Sequence, residues 1–87
     1  MSIFQGGSAF NMVQSVADGY IILTERTFKS YKPNDLIEFL FEADKLLREI
    51  RAAQAPAGDQ DAVQKRQRKM QRLQQALTIA NAVRSRR

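Results

Sequence analysis

The chain has 87 residues, a formal net charge of +5, no cysteine and no histidine. That length makes one small domain with at most an appended helix, and such a chain buries only about 60–65% of its unfolded surface. The composition excludes a disulfide staple and a thiolate metal site, and it removes the usual general base and the commonest transition-metal ligand.

Residues 1–7 hold two large apolar side chains, Ile3 and Phe4, followed by the breaker Gln5-Gly6-Gly7. They read either as a loose leader or as an arm that docks on a neighbouring subunit through Ile3 and Phe4. Ser8 then suits the N-cap of a first helix with apolar positions Phe10, Val13, Val16 and Ala17, and Asp18-Gly19 ends it with a good left-handed residue. About ten residues of helix are unstable alone in water, so this one must pack on something.

Tyr20 to Tyr31, YIILTERTFKSY, is rich in aromatic and β-branched residues and has no stripe at helical period. It predicts a strand-rich ribbon: two short strands joined at Thr24-Glu25-Arg26-Thr27, or one longer extended segment. A two-stranded ribbon needs a helix against one face, and the next element supplies it.

From Lys32 to Gln54 the apolar residues Leu36, Phe39, Leu40, Ala43, Leu46, Leu47, Ile50 and Ala53 follow the i, i+3, i+4, i+7 pattern of a buried helix face. Pro33 fits the first helical position, and Asp35 suits the positive end of the dipole; Asn34 is an equally fair cap. Ile37 and Phe41 lie off the stripe, one turn apart. They either face outward as a contact patch or are covered by a third helix folding back.

Ala55-Pro56-Ala57-Gly58 breaks the second helix. A third helix follows, capped by Asp59 or Asp61, with apolar positions Val63, Met70, Leu73, Leu77 and Ala80. The expected class is therefore α+β, mostly helical. The expected layout is a compact unit over 1–55 with a flexible leader, a linker over 56–60 and a basic helix over 61–87.

Charge divides along the same boundary. Residues 1–58 carry six basic and seven acidic side chains, whereas residues 59–87 carry eight basic and two acidic ones. On a helix, Lys65, Arg68, Lys69 and Arg72 share one face; Arg66 lies beside them, and Arg84, Arg86 and Arg87 add cations at the end. This run reads as a solvated face, as a surface for an acidic protein, or as a contact to the phosphate backbone. The last third has no aromatic residue, so a nucleic-acid contact would be sequence-independent, without base stacking.

No catalytic constellation stands out. Glu38 and Glu42 share a helix face but lack a third group, and no cofactor motif is present, so the expectation is a protein that is not an enzyme. No apolar run has the roughly 18 residues of a membrane span, and the N-terminus lacks the basic region of a signal peptide. Both point to a soluble intracellular chain with no membrane partner.

The order of short helix, extended YIILTERTFKSY, then Lys32-Pro33-Asn34-Asp35-Leu36 entering a helix that ends LLREIRA resembles the small head–tail joining proteins of tailed phages, the gpW type. The likeness covers Tyr20 to Ile50, about a third of the chain. It implies two antiparallel helices with a β-hairpin, and a role as a structural adaptor in rings below the portal, around the DNA channel. The implied partners are the portal, neighbouring copies and other virion proteins, met in the host cytoplasm during assembly and then in the virion. The glycine-bearing hairpin turn of that pattern is missing here, and the basic helix over 59–87 is extra to it. On this reading Ile37 and Phe41, with Ile3, Phe4 and Leu77, form protein contacts. Lys65, Arg66, Arg68, Lys69, Arg72, Arg84, Arg86 and Arg87 face phosphate or DNA. Two other classes stand beside it: a sequence-nonspecific nucleic-acid-binding regulator, and a protein-binding inhibitor or assembly chaperone.

Overall fold

The computed structural model describes residues 3–53 and 58–86. Three α-helices occupy most of this span: α1 (Ala9–Ala17), α2 (Pro33–Ala52) and α3 (Gln60–Ser85). A single turn of 3-10 helix, Glu25–Phe28, lies between α1 and α2.

Local chemistry fixes each helix end. The Ser8 side chain accepts from the Asn11 amide at 3.1 Å and starts α1. At its far end the Gly19 amide donates to Val16 O and the Tyr20 amide to Ser15 O, with Gly19 at φ +86°, a Schellman stop. Helix α2 opens with Pro33 at its first position, and the Asp35 carboxylate accepts from the Lys32 amide at 2.9 Å. Asp59, rather than Asp61, caps α3 by accepting from the Ala62 amide at 3.0 Å.

The described residues contain no strand, so the chain is all-helical and the expected α+β class is corrected. Residues 21–24 form no ladder; the expected joining turn over 24–27 is a 3-10 turn that runs on to Phe28, closed by the Thr27 amide on Thr24 O and the Lys29 amide on Arg26 O, and residues 29–31 after it form no strand. The reason is packing. Phe28 turns fully inward against Phe39, with ring centroids 5.0 Å apart, and Tyr31 packs edge-on to Phe28 at 5.1 Å. Phe28 docked on Phe39 of α2, with Tyr31 stacked edge-on behind it, holds the segment more firmly than a lone two-stranded ribbon, which is marginal in water.

Phe4 completes that aromatic cluster, T-shaped to Tyr31 at 5.5 Å and only 7% exposed. The expected loose leader is therefore anchored in the chain's own core, and the arm reading fails for Phe4; Ile3 stays exposed. In α1 the buried set is Ala9, Met12, Val13, Val16 and Ala17, while Phe10, expected on the stripe, faces solvent.

Helix α3 folds back antiparallel to α2. Its N-terminal Arg66 reaches the last turn of α2, and Leu77 and Arg84 lie beside Ile37 and Leu40 in the first turns of α2. Leu73, Ala76, Ala80 and Val83 bury themselves in the same cluster as Met12, Leu36, Phe39 and Leu47. One core thus spans the expected boundary between 1–55 and 61–87. Of the expected linker over 56–60, residues 56–57 lie outside the described part.

Candidate functional site

Two surfaces were expected to carry function, and the fold treats them differently. The first is the basic run on α3. Lys69 and Arg72 precede Leu73, Ala76 and Val83 by whole turns, so they share the inward-facing side of α3. The cations continue the core stripe into a region where it meets the ends of other helices.

Those ends carry unsatisfied carbonyls and partial negative charge. Arg72 Nη1 donates to Ala17 O, in the last turn of α1, at 2.9 Å. Its guanidinium lies against the Gly19 backbone, 3.0 Å from where a Cβ would stand. Lys69 Nζ sits 3.4 Å from the Asp18 carboxylate at the same terminus. Arg66 Nε donates to Ile50 O and Ala53 O, each at 3.1 Å, and Nη2 to Arg51 O at 3.2 Å, closing the C-terminus of α2. Helix α1 has no basic residue in its own last turn, and α3 supplies the missing cations.

Arg86 pairs with Glu25 on the 3-10 turn. The hydrogen bond and charge of Arg86 hold the Glu25 carboxyl below its usual pKa. Arg87 lies outside the described residues. Of the cations expected to face phosphate, Lys65, Arg68 and Arg84 remain exposed without a protein partner among the described residues. Lys65 and Arg68 are one turn apart, and Arg84 is sixteen residues further along α3, about 24 Å. The tight basic face therefore dissolves into helix caps and a few dispersed charges.

The second surface keeps its character. Although α3 folds back along α2, Ile37 stays 49% and Phe41 64% exposed. They stand beside a shallow groove between the two helices, of about 380 Å³, whose floor includes the half-buried Leu40 and Leu77. Asp44 of α2 lines one side, and Asn81 and Arg84 of α3 line the other. The outcome joins both expectations: α3 packs back, yet crosses α2 too far round to cover the pair.

No family model, no curated protein and no solved structure matches this chain. None of the three comparisons bears on the likeness to the gpW-type joining proteins. Among the described residues no group of three or more acidic side chains comes together; Glu38 is exposed, and Glu42 is half-buried beside Phe10 and Val13 of α1. Among the described residues no helix is long and apolar enough to cross a membrane.

Sequence reasoning missed the capping role of Arg66, Lys69 and Arg72. The signal was present in the spacing: Lys69 to Leu73 and Arg72 to Ala76 are both i, i+4, which ties the cations to the apolar stripe rather than to an opposite face.

Proposed function

We propose that this protein is a non-enzymatic structural adaptor that docks an amphipathic helix of a partner protein in the α2–α3 groove. The observation that carries this reading is the exposure of Ile37 and Phe41 beside the half-buried Leu40 and Leu77. Two large side chains at i, i+4, a concave apolar floor and rims of opposite sign at Asp44 and Arg84 are the features of helix-in-groove recognition. A partner helix with its apolar stripe inward, a base toward Asp44 and an acid toward Arg84 satisfies all of them. The virion setting, with the portal and neighbouring copies as partners, rests on the resemblance of residues 20–50 alone. The hairpin which that resemblance implied is not part of the support.

The rival reading, a phosphate-binding regulator, needs clustered free cations. Arg66, Lys69, Arg72 and Arg86 are already engaged inside the chain. The decisive experiment has two arms. Binding to a short random duplex is measured at 50 and 200 mM salt, for the protein and for a Lys65→Gln, Arg68→Gln, Arg84→Gln variant. Weak binding at both salts is expected; tight binding that falls roughly 10²-fold or more, and is lost in the variant, overturns the adaptor reading. In the second arm a photo-crosslinking residue replaces Phe41, or the exposed Asp61 at the far end of α3 as the control, in cells that make the protein natively. A discrete adduct from position 41 and none from position 61 is expected, and equal labelling from both refutes the groove as the docking face.

A further inference from the structure

The segment 20–24 belongs to no helix or strand, and its backbone is extended at Thr24, φ −134° and ψ 172°. The exposure of its side chains alternates as it does along a strand. Ile21 and Leu23 are half-buried toward α3, whereas Tyr20 is 83% and Ile22 87% exposed. The amides of Ile21, Ile22 and Leu23 donate no hydrogen bond to the described residues, and the carbonyls of Tyr20 to Leu23 accept none. The ends of the segment, by contrast, are fastened. The Tyr20 amide donates to Ser15 O at 2.9 Å, and the Thr24 amide to Thr27 Oγ1 at 3.2 Å. The backbone is thus fastened at both ends while its middle presents open donors and acceptors, which can template addition of another strand.

We propose that this segment pairs with the same segment of a second copy of the chain, antiparallel about a two-fold axis at Ile22. In that register Ile21 of each copy lies opposite Leu23 of the other. Each such pair exchanges two backbone hydrogen bonds, so the four open groups of Ile21 and Leu23 on each copy are all used. Ile22 meets Ile22 of the second copy in the non-hydrogen-bonded position, where side chains come closest, and Tyr20 lies across from Thr24. The five residues carry no charge, so no like charges oppose one another. Just beyond the paired stretch, the same register brings the end of one copy that carries the half-exposed Asp18 toward the end of the other that carries the exposed Arg26. A self-complementary patch of this kind is what a two-fold contact requires.

The contact is small, so the dimer is weak and forms at high local concentration, as in an assembly. It is independent of the α2–α3 groove. The test is sedimentation equilibrium from about 20 µM to about 1 mM, the range of a weak contact, with amide exchange measured over the same range. The expected result is a concentration-dependent dimer. The amides of Ile21 and Leu23 slow by about tenfold or more as it forms, while the Ile22 amide, which points away from the ladder, stays fast. Ile22→Lys leaves the monomer folded, since the side chain stands in solvent, and abolishes the dimer by opposing like charges. Mixing Ile22→Lys with Ile22→Glu restores it. A chain that stays monomeric to about 1 mM with unchanged exchange overturns the proposal. So does a dimer that the charge-reversal mixture fails to rescue, and so does one lost in Phe41→Asp but kept in Ile22→Lys, which would place self-association at the groove.

Discussion

Replacing Arg72 by Met removes one guanidinium while keeping most of the aliphatic stem that lies over the Gly19 backbone. Arg72 Nη1 makes a charge-assisted hydrogen bond to Ala17 O at 2.9 Å, and that carbonyl belongs to the last turn of α1, where no other cation lies in the helix itself. A hydrogen bond to a charged group is worth about 1.5–3 kcal/mol, and a cation at an exposed helix C-terminus about 0.3–1 kcal/mol. The two overlap, and the site is half-buried, so a loss of about 2 kcal/mol is the working value. For a domain of this size that lowers Tm by about 8–16 °C. The assay is urea and thermal unfolding followed by far-UV circular dichroism, with Arg68→Met as the control. Arg68 stands in solvent on the same helix, and its loss should change stability by no more than about 0.5 kcal/mol. Equal effects from the two variants, or a change below about 0.5 kcal/mol for Arg72→Met, would refute the capping role and return Arg72 to the free basic face.

Leu73→Ala, at a fully buried position on α3, should cost about 2–5 kcal/mol by urea unfolding; a change within about 0.5 kcal/mol would mean that α3 is an appendage outside the core. Phe41→Asp should leave the urea midpoint nearly unchanged, because the ring stands mostly in solvent, and an unfolded variant would instead make Phe41 a core residue. Gly19→Ala should destabilise by more than about 1 kcal/mol, since φ +86° disfavours any Cβ and the Arg72 guanidinium already fills its place; a neutral result by thermal melting would contradict that packing. Burial, reinforced by the Asp35 charge, pushes the Tyr31 phenol up to about 12. The native state thus holds the neutral form while the unfolded chain ionises near the ordinary value of 10.0. The contribution is complete below that value and is lost as pH rises from it toward about 12. Phenolate absorbance should show a late component that Tyr31→Phe removes.

The helices were legible because their signals are local. Ser8, Gly19, Pro33 and Asp59 act on backbone groups within a few residues, and the stripe Leu36, Phe39, Ala43, Leu47 repeats at the period of the helix itself. The same period placed Ile37 and Phe41 off the stripe but left open whether α3 would cover them, and only the packing of α3 leaves both exposed. The segment 20–31 was read as a ribbon because β-branched and aromatic residues fit a pleated surface. That reading was overridden when Phe28 and Tyr31 found Phe39 of α2 and Phe4, contacts that no local propensity encodes.

The sequence by itself determined where three helices start and stop, which faces are apolar and that positive charge gathers in the last third. Only the tertiary structure decided what the charge is for. A cation on a helix meets a phosphate, water or a carbonyl according to what lies within about 3 Å of it, and that is a property of helix ends brought together from distant parts of the chain. Arg72 and Ala17 are 55 residues apart in sequence and 2.9 Å apart in space. The hydrogen bond between them turned an expected phosphate contact into the clasp that holds α1 to α3.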